Sequence, residues 1–140
     1  MSDSVFSLHP RLEADSFIIG DLALCRGLLM NDARFPWLIL VPRRANLRDM
    51  MDLAPEAQAS LMSEINAASH VLQRLIHPHK LNVAAIGNIV AQLHIHIVAR
   101  FEDDAAWPAP VWGHGVRDPY DDDESSGFVG LLQRELGYLV

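Results

Sequence analysis

Gln92-Leu93-His94-Ile95-His96-Ile97-Val98 alternates polar and apolar side chains, and both histidines fall on the polar side of the alternation. A strand turns residues i, i+2 and i+4 to one face, which predicts Gln92, His94 and His96 on one surface and Leu93, Ile95 and Ile97 in a core. At a rise of about 3.3 Å per residue the two imidazoles stand roughly 6 to 7 Å apart. Imidazole titrates nearest neutrality and serves in proton transfer, metal binding and nucleophilic attack, so a pair on a rigid element is a candidate reaction centre.

Outward from that stretch, Ile89 to Arg100 reads as one long strand with Arg100 on the histidine side. It is entered through a hairpin-like Gly87-Asn88 turn from a strand over Leu81 to Ile86. Glycine admits close backbone approaches that a Cβ forbids, so this turn can bring N–H groups against an anion beside the imidazoles. A nucleophile, a proton donor and loop amides would then meet one phosphate, which is equipment for phosphoryl or nucleotidyl transfer without a metal.

Further upstream, Phe17 to Ile19 and Leu22 to Met30 read as strands broken near Gly20-Asp21, followed by an Asn31-Asp32-Ala33-Arg34 turn. Phe35 to Val41 is almost wholly apolar and ends at Pro42, which predicts a strand in the sheet centre. Pro55 and Glu56 mark a helix start, and Leu61, Ile65, Ala68, Leu72 and Ile76 recur at helical spacing until His77-Pro78-His79 ends the run. Glu102 to Gly115 has no period, and Ser126 to Leu139 predicts a closing amphipathic helix. The outcome is an α+β chain with a largely antiparallel sheet.

At 140 residues, half of them apolar and with no polar linker, the chain reads as one domain over 1–140, with a core of about 8–112 and a C-terminal extension of 113–140. A net charge of −7 argues against a nucleic-acid polymer as partner, because that binding draws on a basic surface. Asp121-Asp122-Asp123-Glu124 reads as a solvated turn or helix start. Of eleven basic residues all but Lys80 are arginine, which suits bidentate phosphate recognition. The opening residues Met1 to Asp15 carry no apolar run, the longest apolar stretch is far too short for a bilayer, and Cys25 has no cysteine to pair with. A cytoplasmic protein without a membrane segment is expected, with Cys25 a buried small hydrophobe.

The run Gly87-Asn88-Ile89-Val90-Ala91-Gln92-Leu93-His94-Ile95-His96-Ile97-Val98-Ala99-Arg100 resembles the histidine triad family, whose pattern is Gly-Gln-x-Val-x-His-x-His-x-His followed by two apolar residues. Leu40-Val41-Pro42-Arg43-Arg44, the Asn31-Asp32 turn before it and the long helix after it extend the likeness over about Leu8 to Trp112. The resemblance implies a histidine-triad-like antiparallel sheet of about five strands with one long helix and a C-terminal helix, two such sheets being joined in a homodimer. It also implies a nucleotide substrate, a nucleoside phosphoramidate or a dinucleoside polyphosphate, with no cofactor or metal: the middle histidine attacks an α-phosphorus, a nucleotidyl-histidine forms, and water or another acceptor releases the nucleotide. The leaving group stays open among phosphoramidate, polyphosphate, nucleotidyl-sulfate and sugar phosphate. His94 falls on the nucleophile's position and His96 on the third, which holds phosphate oxygen or the leaving group.

Two departures stand out. Gln92 occupies the first histidine's place, where an amide orients by hydrogen bonds but exchanges no proton near neutrality. Asn88 replaces the usual glutamine, behind a shorter loop. The family's ribose contact falls on Asn31 or Asp32, and Gly87, Asn88, Arg100 and Trp107 complete the candidate substrate contacts. Trp107 and Trp112 either stack on a base or pack. An attacking His94 is expected to be neutral, with its other ring nitrogen bonded to a backbone carbonyl. Two other readings remain open: a dimeric nucleotide-binding protein that has lost turnover through Gln92, and a His-x-His metal site completed by His114, His77, Glu102 or Asp103.

Overall fold

In the computed structural model, which describes residues 5–137, a short helix α1 (Pro10–Ala14) leads into strands β1 (Ser16–Asp21), β2 (Cys25–Met30) and β3 (Trp37–Pro42). A single 3₁₀ turn at Met50–Asp52 precedes helix α2 (Pro55–Ile76), strands β4 (Lys80–Ala84) and β5 (Ile95–Arg100), and helix α3 (Asp122–Gly137). The five strands form one open sheet in the order β1-β2-β3-β5-β4, antiparallel throughout.

β3 lies at the centre, as its unbroken apolar run requires: all of its residues are buried, because both faces of the sheet are covered. Leu38 and Leu40 join Ile95, Ile97 and the apolar stripe of α2 on one face, where Leu132 and Leu136 of α3 also pack. Trp37, Ile39 and Val41 join Leu28 and Val98 on the other, under Leu8, Leu12, Val90 and Val111 from the N-terminal segment and the loops. The long helices α2 and α3 therefore make one wall, while α1 and irregular chain make the other, and the second wall is where a concavity can form.

α2 begins at Pro55 and ends where His77 takes a left-handed conformation (φ 53°) with its N–H on the Gln73 carbonyl, so the histidine–proline pair acts as a helix stop. Its buried Glu64 accepts hydrogen bonds from the Leu24 and Cys25 N–H groups at 2.7 and 2.8 Å, closing the β1–β2 connection onto the helix. Cys25 is buried, and burial pushes its thiol far above the usual range, which leaves it a packing residue. α3 starts on a capping box, Glu124 N–H on Asp121 Oδ1 at 2.8 Å and Asp121 N–H on Glu124 Oε1 at 3.4 Å, so the acidic run is a helix start. Among the described residues no helix is long and apolar enough to cross a membrane.

Several boundaries differ from the expectation. The histidine strand begins at Ile95, not Ile89, and residues 85–94 form a loop between β4 and β5 instead of a two-residue turn at Gly87-Asn88. Leu93 explains this: its N–H bonds the Leu47 carbonyl at 3.0 Å and its side chain enters the helix-side core, so the chain is anchored away from β4 until Ile95. The closing helix starts at Asp122 rather than Ser126, and Leu139 lies outside the described residues. Helix α1, too short for a periodic signal, was not legible.

Replacing Glu64 with Ala strands two buried N–H groups, so unfolding free energy should fall by about 2 to 5 kcal/mol, with Glu64→Gln intermediate because it keeps one acceptor oxygen. Denaturant titration checks this, and equal losses in the two variants would deny the hydrogen bonds their part.

Candidate active site

The register of β3 against β5 sets Ile39 opposite His96 and Trp37 opposite Val98, so Trp37 reaches diagonally along the same face to the imidazole. Its indole N–H lies 3.0 Å from His96 Nδ1. Indole nitrogen only donates, which obliges Nδ1 to accept and puts the proton of a neutral His96 on Nε2. Trp37 and Trp112 both meet the ring edge to face, at centroid distances of 5.7 and 5.4 Å. Burial in this cage, with a smaller push from His94, lowers the His96 pKa to about 3.

His94 is set in the opposite sense. Its Nδ1 is 2.7 Å from the carbonyl oxygen of Gln92, a group that only accepts, so Nδ1 carries the proton and Nε2 the lone pair. Burial holds its pKa below the ordinary 6.5, the carbonyl bond opposes this in part, and the neighbouring His9 adds a further lowering. The two rings stand 4.8 Å apart, edge to face, in complementary tautomers: one bare nitrogen and one N–H.

Both imidazoles line a hollow of about 340 Å³ between Leu12, Met30, Ile89 and Trp112. A second hollow of about 490 Å³ lies across Ile86, Gly87 and His94, walled by Arg48, Met50 and Met51. His94 and Gly87 thus stand on the ridge shared by an aromatic basin and a partly charged one. Gly87 has a positive φ of 69°, where a side chain is strained. Asn88, exposed, borders the aromatic basin. The structure brings His94, His96, Gly87 and Asn88 to one region, but through a loop over 85–94 rather than a hairpin turn and with the imidazole centroids at 4.8 Å, closer than the strand rise predicts.

Gln92 is placed otherwise. It precedes the strand, and its side-chain hydrogen bonds go to the N-terminal segment: its amide nitrogen donates to the Ser7 carbonyl and its oxygen accepts from the His9 N–H, both at 2.9 Å. The side chain ties down the N-terminal segment that roofs the basin, while its main-chain carbonyl orients His94.

Arg100 shares the histidine face but is consumed by structure. Buried to 1%, it pairs with Asp104 at 2.8 Å and also donates to Asn82 and the Ala109 carbonyl. Burial alone would raise the Asp104 carboxyl; Arg100 and the N–H groups of Phe101, Ala106 and Trp107 outweigh it and hold the group far below the usual carboxylate range. Breaking such a pair costs about 3 to 5 kcal/mol, more than the roughly 1.5 to 3 kcal/mol that a charged hydrogen bond to phosphate returns, so Arg100 stays where it is.

Trp107 lies under the Arg100 guanidinium and edge to face with His79 and is not among the residues lining either hollow; it is Trp112 that lines the basin. Asp32 is buried and gripped by Arg34 at 2.8 and 3.0 Å, with the Arg34 and Asp118 N–H groups also on it, whereas Asn31 accepts from the Tyr120 N–H. The Asn-Asp turn therefore fastens the C-terminal segment. The sequence places Trp37 only within a buried strand; nothing short of the β3–β5 register reveals that it reaches His96. Among the described residues no group of three or more His, Cys, Asp or Glu is arranged to hold a metal ion, and His77 serves the end of α2.

A HIT domain profile matches residues 11–103. A histidine triad protein from Bradyrhizobium japonicum is 46% identical over 95% of this chain and 99% of its own, with a TM-score of 0.92. One from Sinorhizobium meliloti is 45% identical over 93% and 96%, with a TM-score of 0.90. One from Marinobacter aquaeolei is 42% identical over 98% and 100%, with a TM-score of 0.95. No curated protein matches the chain.

Nitrogen-15 NMR should find His96 as the neutral Nε2–H tautomer from pH 5 to 9, and Trp37→Phe should let it titrate nearer 6.5. A wild-type His96 that titrates near neutrality would contradict the indole contact.

Proposed function

Because the chain belongs to the histidine triad domain family, we propose that it is a nucleotide hydrolase or nucleotidyl transferase working through a nucleotidyl-His94 intermediate. The observation that carries this is the bare Nε2 of His94 on the ridge between two hollows, with its Nδ1–H on a carbonyl. A neutral imidazole so held points a lone pair at any phosphorus seated on the ridge. As the P–N bond forms the ring becomes cationic, and the Gln92 carbonyl, already bonded to Nδ1–H, takes up that charge without reorganising.

The aromatic basin fits a nucleoside, with Trp112, Met30 and Leu12 around the base. The Gly87–Asn88 stretch flanks the phosphate, and the Nε2–H of His96 donates to one of its oxygens. The hollow beyond Gly87, with Arg48 at its wall, takes the leaving group. Loss of the first histidine is tolerated in this reading, since Gln92 orients His94 through its main chain, which a side-chain replacement leaves intact. The protein acts as a homodimer joined along β4, the strand at one end of the sheet order, where Val83 is half exposed.

Incubation with nucleotide substrates in excess chelator should release a nucleoside monophosphate, and His94→Ala should lower turnover by about 10⁴-fold or more. A metal-dependent activity, or one that survives the substitution, would sink the reading; tight binding without turnover would favour a nucleotide-binding protein. Since burial lowers the His94 pKa, kcat/KM should decline only below pH 6.5. A dimer by light scattering, split by Val83→Glu, is the expected assembly.

A further inference from the structure

Trp112 enters the aromatic basin from the corner of a turn. The His114 N–H bonds the Val111 carbonyl at 3.1 Å, and Gly113 takes a φ of 76°, the left-handed value that the third residue of a type II turn requires. Trp112, the second residue, meets His96 and Trp37 edge to face at centroid distances of 5.4 and 6.0 Å. Val111, at the near end of the turn, is sunk in the core of that wall. The chain beyond is of another kind: residues 113–119 are all exposed, and Gly115 is left-handed again at φ 62°. Glycine leaves the backbone freer than any other residue, so a turn that ends between two of them keeps its place only if its far end is held.

Arg34 holds it. Its Nη1–H donates to the His114 carbonyl at 2.7 Å, while its Nε and Nη2 edge grips the Asp32 carboxylate at 3.0 and 2.8 Å. The guanidinium also lies over the Phe35 ring, 5.0 Å from its centroid, and both Asp32 and Phe35 are buried. One planar group thus joins a fixed platform to the exposed end of the turn. Later ties, the Ala33 N–H on the Asp118 carbonyl and the Tyr120 N–H on Asn31 Oδ1, fix where the segment leaves, whereas Arg34 acts two residues from the indole. Arginine is the side chain this needs: its fork donates along two edges in fixed directions, and the single ammonium of a lysine serves the carboxylate or the carbonyl.

The turn also has somewhere to go. Behind it lies a smaller hollow of about 180 Å³, lined by Arg34, His114 and Arg117, which shares Met30, Trp37 and Gly113 with the basin. The turn is a partition between the two spaces, and its position divides the room between them.

We propose that Arg34 is a positioning residue for ligand binding: by clamping the His114 carbonyl to the Asp32 and Phe35 platform it keeps the Trp112 indole at the basin, and so sets the affinity of the basin for a nucleoside without entering the chemistry at His94. The inference rests on the reading of the basin as the nucleoside's place. Arg34 itself lines the hollow behind the turn, and its effect reaches the ligand only through Trp112.

The test compares wild type with two variants that disturb the clamp from opposite sides. Arg34→Lys keeps a positive charge beside Asp32. Gly115→Ala, at an exposed position, brings a Cβ to 3.2 Å from Arg34 Nη1 at a left-handed φ and forces the clamp open. With 5-fluorotryptophan incorporated, the Trp112 fluorine signal, assigned through Trp112→Phe, should shift or broaden in both variants, while that of Trp107, packed against Arg100 and His79, stays. Dissociation constants are measured for adenosine, guanosine, cytidine and uridine 5′-monophosphates. For the one that binds best the constant should rise by about five- to tenfold in both variants, the loss expected of one displaced aromatic contact. For a substrate built on that nucleotide KM should rise likewise, with kcat changed by less than about twofold. An unmoved Trp112 signal, affinities equal to those of wild type in both variants, or a kcat that falls while KM holds, overturns the inference and leaves the reading of the basin standing. If wild type binds none of the four nucleotides, that reading fails and the inference falls with it.

Discussion

The contact between the Trp37 indole N–H and His96 Nδ1 is the constraint on which the site depends. It is available because antiparallel pairing puts Ile39 opposite His96, which leaves the larger Trp37 one step along the same face. A shift of one residue in that register would send Trp37 to the helix side and replace it by Leu38, an apolar side chain with no donor. The ring that the indole holds then packs at 4.8 Å from His94, whose own tautomer is set by the Gln92 carbonyl. Two neutral imidazoles in opposite tautomers follow from two partners of opposite character, one that only donates and one that only accepts.

This arrangement needs a sheet that is dry on both sides. Burial lowers both imidazole pKa values, and burial on the histidine face comes from the N-terminal segment with its short α1 and from the loops, because the long helices α2 and α3 lie on the opposite face. Irregular chain covers a sheet less uniformly than a helix does, and the hollows on either side of His94 lie along that wall. The side chain of Gln92 contributes at this level: it fastens Ser7 and His9, and so the roof, to the start of β5.

Much of the buried polar composition is structural, including Arg100 and Asp32 from among the candidate contacts. Arg100 and Asp104 pair in the interior, Arg34 and Asp32 fasten the Asn-Asp turn to the C-terminal segment, and Glu64 closes a strand connection. In each case the group is saturated by partners, and releasing it to bind a ligand would cost more than the new contact returns. A strand-face argument sees that Arg100 lies on the histidine side and cannot see that Asp104, four residues on, has already claimed it.

The alternation from Leu93 to Val98, the apolar run ending at Pro42 and the helical spacing after Pro55 are local patterns, and they were enough to give the sheet class, the central strand, the long helix and the pair His94 and His96. Periodicity reports which face a residue takes within its own element. It does not report register, loop anchoring or the occupant of a hydrogen bond, each of which joins residues far apart in the chain. Hence Trp37 reaching His96, Gln92 turning to Ser7, Leu93 delaying the strand to Ile95 and Trp112 replacing Trp107 at the basin were decided only when the chain closed on itself.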